Sequence, residues 1–296
     1  MRGRVRLPLG LAAFAGAVSL LVLPPPLRCD IRAGRFPSPS LGRDVSYAVD
    51  LPPSYDEGKH RYPVVYALHG LFESPGFWDG RGLADALARM RARGGFADFV
   101  VVAVEGGNSF YVNGPAGRHE DVVTKDAIAF VEKTYRVVPG REGRALFGVS
   151  MGGYAALRIA ITHPELFRAA ATHSAMLLEK MPTAEQGARG GQMAAFHRVF
   201  GDPIDAASWS ANDPLELARK LDPKTAPALY FDCGSSDRYG LAAGNAALHQ
   251  RLTERGIPHS YSINPGDHGY DYVLSVIEDS LRFLSKALGS GAERKP

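Results

Sequence analysis

A serine flanked by glycine two residues away on each side stands at Gly148-Val149-Ser150-Met151-Gly152. A neutral hydroxyl attacks an acyl carbon only beside a base, and that base needs a carboxylate to orient its ring. The surroundings fit such a nucleophile. The apolar run Ala145–Val149 enters the pentapeptide and the helix-forming run Gly153–Thr162 leaves it. A sharp strand–turn–helix junction of this kind lifts the serine Oγ clear of the backbone. It also sets the residue at a helix start, where unpaired N–H groups face a developing anion. A Cβ at Gly148 or Gly152 is expected to collide with the neighbouring strand or helix. The chemistry this pattern supports is nucleophilic catalysis through a covalent acyl intermediate.

A base and an acid must then lie downstream, each on a loop after a strand, in the order nucleophile, acid, base. His268 fits the base, in the glycine-rich stretch Asn264-Pro-Gly-Asp-His-Gly-Tyr270 between the last strand and the last helix. His173, at another strand end, ranks second. For the acid, Asp237 closes the loop Asp232-Cys-Gly-Ser-Ser-Asp237 a few residues past a strand. Asp232 is its rival, but reads as still part of the strand. Asp267 adjoins His268 in sequence, which keeps the two side chains from meeting. Two backbone amides should bind an oxyanion. Met151, next after the nucleophile, supplies one. Leu71, after the turn at His69-Gly70, supplies the other, with His69 shaping that loop.

The elements that position these residues alternate. Strands are predicted at Val45–Leu51, Val64–Leu68, Phe99–Val104, Ala145–Val149, Ala169–Thr172, Ala228–Cys233 and Tyr261–Ile263. Helices are predicted at Gly82–Arg93, Val122–Tyr135, Gly153–Thr162, Leu241–Arg255 and Tyr270–Leu288. Such alternation implies an α/β class, a mainly parallel sheet with helices on both faces. Sites in such sheets form beyond the carboxyl ends of the strands. The stretch from about 177 to 222 interrupts the alternation and reads as a small lid-like insertion. Residues 106–119 read as a mobile specificity loop, being rich in Gly and Asn and long for a connection. Residues 44–288 form one domain, residues 30–43 a linker, and residues 289–296 a disordered tail.

A chain of 296 residues, 45% hydrophobic and 22% charged, can bury one large core. Its formal charge of +3 belongs to the leader: residues 1–29 hold four arginines and no acids, leaving the remainder at −1. Nothing here argues for a nucleic-acid partner. Arg2, Arg4 and Arg6, then the uncharged stretch Leu7–Leu23, then three prolines, have the layout of a secretory signal. A secreted or periplasmic location is expected, with an uncleaved N-terminal membrane anchor as the alternative. Of the two cysteines, Cys233 reads as a buried thiol, and Arg28 before Cys29 lacks the small residue a lipidated cysteine needs.

The segments Tyr62-Pro-Val-Val-Tyr-Ala-Leu-His-Gly-Leu71, Phe147–Tyr154, Phe200-Gly-Asp-Pro203, Asn212-Asp-Pro-Leu215 and Asp232–Asp237 together resemble the esterase D family. Its members include S-formylglutathione hydrolases, tributyrin, feruloyl and acetylxylan esterases, and mycolyltransferases of the antigen 85 type. The resemblance spans roughly residues 40–288. It implies an α/β-hydrolase fold with no metal or organic cofactor, the triad Ser150, Asp237 and His268, and oxyanion amides at Leu71 and Met151. The leader sets the chain apart from cytosolic glutathione thioester hydrolases. Asp in place of the usual Glu at the acid position sets it apart from mycolyltransferases. The expected function is therefore a serine carboxylesterase acting on short-chain, aryl or sugar esters. An acyltransferase to a carbohydrate or lipid acceptor, a thioesterase and a non-catalytic binding module are the alternatives. Phe72, Tyr111, Trp209, Tyr239 and Tyr270 are the expected substrate contacts, with Trp78 and Phe110 as further aromatic candidates.

Overall fold

The structure is a computed structural model that describes residues 30–183, 185 and 191–292. Its main sheet has eight strands: β1 (Asp30–Ser38), β2 (Arg43–Leu51), β3 (Val64–Leu68), β4 (Val100–Val104), β7 (Arg144–Val149), β8 (Ala169–His173), β9 (Ala228–Gly234) and β10 (His259–Asn264). A separate ribbon pairs β5 (Asn113–Gly114) with β6 (Gly117–Arg118). The spatial order of the main sheet is β1-β2-β4-β3-β7-β8-β9-β10. Strands β3, β4 and β7 to β10 run parallel, while β1 and β2 are antiparallel additions at one edge.

Alternation along the strands builds the two faces. Val64, Tyr66 and Leu68 of β3 enter one core with Val100, Val102 and Val104 of β4. Val65, Ala67, Val101 and Ala103 point to the other, with Ala145, Phe147 and Val149 of β7. The first face is covered by α5 (Met151–Thr162) and α9 (Leu241–Glu254). The second is covered by α2 (Leu83–Arg93) and α10 (Tyr270–Ala292). Full burial on both faces explains why the central strands read as continuous apolar runs.

Three expectations change. Residues 30–43 are not a linker. They form β1 and a turn, with Asp30 paired to Leu51 and Ser38 to Arg43. Phe36 is fully buried and the Ser38 hydroxyl donates to Asp126 at 2.5 Å. An edge strand with one outward face tolerates the arginines and the proline that made this stretch look irregular. The tail does not begin at 289, because α10 runs to Ala292. Residues 1–29, with the proposed leader, and 293–296 lie outside the described residues.

The third change concerns the two long connections. Within 106–119, Ser109, Phe110, Tyr111 and Val112 are buried. The segment leads through β5 and β6 into α3 (His119–Asp121), a π-helical turn, and α4 (Ile128–Thr134). The insertion between β8 and β9 carries α6 (Gly191–Phe200), α7 (Ala206–Asn212) and α8 (Pro214–Ala218). Its Phe196 stacks on Phe110 with ring centres 4.3 Å apart, and Trp209 packs edge-on against Phe196 and Phe200. The Tyr154 hydroxyl of α5 donates to Asn212 O at 2.7 Å. These helices extend the core beside α5.

Candidate active site

Ser150 sits at the junction of β7 and α5 with φ 57° and ψ −115°. Such a backbone is strained for a residue with a Cβ. Its surroundings hold it there. Ser150 N–H donates to His173 O at 3.1 Å, and Ser150 O accepts from Tyr154 N at 2.9 Å and Met176 N at 3.0 Å. The flanking glycines are sterically required. A Cβ on Gly148 would lie 2.1 Å from Gly152 O, and one on Gly152 would lie 1.9 Å from Leu68 O.

The three polar side chains singled out by order along the chain meet here. Ser150 Oγ lies 3.1 Å from His268 Nε2. His268 Nδ1 lies 2.8 Å from Asp237 Oδ2. Asp237 also accepts at Oδ1 from Tyr239 N at 2.9 Å and Leu241 N at 3.5 Å. Burial alone would raise the Asp237 carboxyl; the hydrogen bond and charge of His268 and these two amides outweigh it and hold the group below its ordinary value. The acid and base loops are tied together. Ser235 N donates to Asn264 O, and Ser236 N to Gly266 O. Asp267 does not touch the His268 ring. It accepts from Arg238 N at 2.8 Å and His268 N at 2.6 Å, and forms an ion pair with the Arg238 guanidinium.

The two runners-up pair with each other. His173 Nδ1 lies 2.9 Å from Asp232 Oδ2, and His173 Nε2 lies 2.9 Å from Ser280 Oγ. Tyr272 OH donates to Asp232 Oδ1 at 2.7 Å. All of these side chains are buried beneath the elbow, out of reach of a substrate. The Cys233 thiol, pushed up to about 12 chiefly by burial, contacts Asp237 Oδ2 at 3.5 Å.

The loop after β3 carries the expected oxyanion donor. His69 N donates to Tyr111 OH at 3.1 Å, Gly70 N to Glu73 Oε2 at 3.0 Å and Phe72 N to Asn108 Oδ1 at 2.7 Å. Leu71 N, between them, has no acceptor among the described residues. Met151 is the first residue of α5, so its N–H lacks an intrahelical partner. Both amides are thus available to a ligand beside Ser150.

The cleft around Ser150 has a volume of about 720 Å³ and is lined by Leu71, Phe72, Glu73, Arg81, Ser174, Arg238, Tyr239, His268, Tyr270 and Asp271, with Val149 and Val273 below. Phe72 (68% exposed) and Tyr239 (45% exposed) stand on its rim. The Tyr239 ring meets the His268 ring edge-on at 4.8 Å. Tyr270 OH donates to Glu73 Oε2 at 2.7 Å, and Arg81 lies over the Tyr270 ring while pairing with Glu73. Tyr111 and Trp209 are corrected. Tyr111 is buried behind the Leu71 loop, its hydroxyl donating to Val104 O at 3.0 Å. Trp209 belongs to the insertion's aromatic cluster. Trp78 and Phe110 are likewise core residues. Among the described residues, none from the insertion lines this cleft. Glu73, Arg81, Ser174 and Arg238 are cleft residues that sequence reasoning missed. Only their nearness to Leu71, His173 and Asp237 in the chain could have signalled them. Among the described residues, no group of three or more His, Cys, Asp or Glu is placed to hold a metal ion.

Comparison with known proteins adds a family. A model of the Esterase family, described as "Putative esterase", matches residues 38–283. The esterase MT1326 of Mycobacterium tuberculosis is 26% identical over 292 residues, covering 88% of this chain and 61% of that protein. The chain thus spans about 61% of the length of that relative. An S-formylglutathione hydrolase of Paracoccus denitrificans is 28% identical over 274 residues, covering 86% of this chain and 92% of the relative. A solved ferulic acid esterase superposes with a TM-score of 0.73 at 25% identity, over 88% of this chain and 99% of that one. The shared architecture is the α/β-hydrolase fold.

Proposed function

The chain belongs to the Esterase family, and on that premise we propose that it is a serine carboxylesterase working through an acyl-enzyme. The observation that carries this reading is the Ser150–His268–Asp237 chain of contacts at 3.1 and 2.8 Å, opening on a cleft with two free amides. Ser150 Oγ attacks the ester carbonyl carbon while His268 Nε2 takes its proton. Asp237 holds the ring with Nδ1 protonated and stabilises the imidazolium that forms. The carbonyl oxygen, now an anion, is received by the N–H groups of Leu71 and Met151. Collapse breaks the bond to the alcohol, which leaves with the proton from His268. Water then enters beside His268 and attacks the acyl carbon while His268 Nε2 takes its proton; collapse breaks the bond to Ser150 Oγ, which takes that proton back from His268, and the carboxylic acid departs.

The cleft offers both apolar and polar lining to an ester. Phe72 and Tyr239 on the rim offer apolar faces, and the Tyr239 ring stands edge-on to His268. Short-chain esters and aryl or sugar esters are the substrates we propose, with a site of action outside the cytoplasm on the strength of the arginine-led apolar leader. Ser150→Ala should abolish hydrolysis of p-nitrophenyl acetate and butyrate without lowering the melting temperature. Unchanged turnover in that variant sinks the assignment. The product ratio in excess alcohol or carbohydrate acceptor separates hydrolysis from acyl transfer.

A further inference from the structure

The loop that carries Leu71 is held from behind by a histidine that the proposed chemistry does not use. His69 is fully buried and lines no part of the cleft. Its Nε2 receives the Gly106 N–H at 3.0 Å, and its Nδ1 lies 2.8 Å from Gly70 O. A backbone N–H can only donate, so Nε2 must be bare. The neutral ring then carries its proton on Nδ1, which donates to Gly70 O. Burial lowers the pKa of His69, which keeps the ring in this neutral form.

The accepting carbonyl belongs to the Gly70–Leu71 peptide. In a trans peptide the C=O and the N–H point in opposite directions. Fixing Gly70 O toward His69 therefore fixes the Leu71 N–H toward the other side. A hydrogen bond to a peptide oxygen also makes the N–H of the same unit a better donor. Neighbouring bonds prevent the peptide from turning over: His69 N to Tyr111 OH before it, and Phe72 N to Asn108 after it.

We infer that His69 is a positioning residue for the oxyanion, its Nδ1–H aiming and polarising the Leu71 amide through the peptide they share. This rests on the esterase reading above. The substitutions that test it separate the two ring nitrogens. His69→Asn places a donor where Nδ1 stands; His69→Gln reaches the Nε2 position and leaves Gly70 O without its donor. A positioned oxyanion donor is worth about 10²–10³ in kcat. His69→Gln should therefore lose about tenfold to a hundredfold in kcat with KM little changed, and bind a trifluoromethyl ketone more weakly by a similar factor. His69→Asn should recover most of both. Equal loss in the two variants, loss in neither, or loss in Asn alone overturns the inference, since a role in packing does not distinguish the nitrogens.

A measurement on the unaltered protein guards against misfolded variants. Nitrogen NMR should find His69 protonated at Nδ1 and bare at Nε2, and the opposite tautomer overturns the inference. Failure of the esterase reading looks different: the unaltered protein would then be inert to esters and unlabelled by a fluorophosphonate.

Discussion

Replacing Asp237 by Asn changes one atom, and the structure dictates where that atom goes. The Oδ1 position faces two backbone donors, Tyr239 N at 2.9 Å and Leu241 N at 3.5 Å. The amide oxygen must stay there, because neither donor can be turned away. The new NH₂ then occupies the Oδ2 position, 2.8 Å from His268 Nδ1. Two donors cannot share that contact, so His268 gives up its Nδ1 proton and carries it on Nε2. That nitrogen now presents N–H to Ser150 Oγ and cannot accept its proton. Flipping the amide to restore the working tautomer leaves the Tyr239 and Leu241 N–H groups facing NH₂, at about 1–3 kcal/mol each. At 1.36 kcal/mol per decade this predicts a fall of about 10² or more in kcat. Loss of the charge that stabilises the imidazolium takes the fall toward about 10⁴. Steady-state hydrolysis of p-nitrophenyl butyrate, with circular dichroism to confirm folding, measures it. A variant keeping more than about a tenth of wild-type kcat refutes this chain of reasoning. Asp232→Asn is the control. It breaks a buried pair with His173, so stability should fall by about 3–5 kcal/mol while the folded enzyme keeps its kcat. The reverse outcome would move the acid to Asp232.

Other expectations follow from single contacts. Gly152→Ala drives a methyl into Leu68 O at 1.9 Å; a loss of about 3 kcal/mol or more is expected in urea unfolding, since only backbone can yield. Leu71→Ala keeps the oxyanion amide and should be mild, whereas Leu71→Pro removes it and should cost about 10²–10³ in kcat. Glu120 is the pH probe. Burial would raise it, but hydrogen bonds and charge from His163 and Arg158 hold it at about 2, against 4.5 for the free group. A depressed folded pKa gives stability that is present above the unfolded value and lost as pH falls through the folded one. Melting temperature should therefore drop between about pH 4.5 and 2, with a free-energy change on the order of 3 kcal/mol. Glu120→Gln should flatten that slope, and an unchanged slope in the variant contradicts the assignment.

What the sequence disclosed, and what it hid, divides along physical lines. The elbow and the two later loops were legible because covalent chemistry restricts residue type, spacing and order together. The central parallel strands were legible because burial on both faces leaves continuous apolar runs. Strand β1 was hidden because an edge strand with one wet face carries Arg32, Arg35 and Pro37 without penalty. His173 and Asp232 were visible as polar residues at strand ends. That they pair with each other depends on the register of β8 against β9, where they stand opposite, and no single strand reveals that. Tyr111 and Trp209 misled because an aromatic residue reports apolar surroundings, not whether those surroundings are core or cleft. Glu73 and Arg81 escaped because their partner, Tyr270, lies nearly two hundred residues away.

Five non-glycine residues have positive φ in the described chain: Phe72, Phe110, Tyr111, Ser150 and Ser174. Each lies in a loop after one of four adjacent strands, β3, β4, β7 and β8. Phe72, Ser150 and Ser174 border the cleft, and glycine at any of these three would relax the backbone, whereas at the buried Phe110 or Tyr111 it would empty the core. A selection for heat resistance in this protein, applied without regard to turnover, is therefore expected to accumulate changes along this one rim, and each gain there would loosen the surface that the substrate meets.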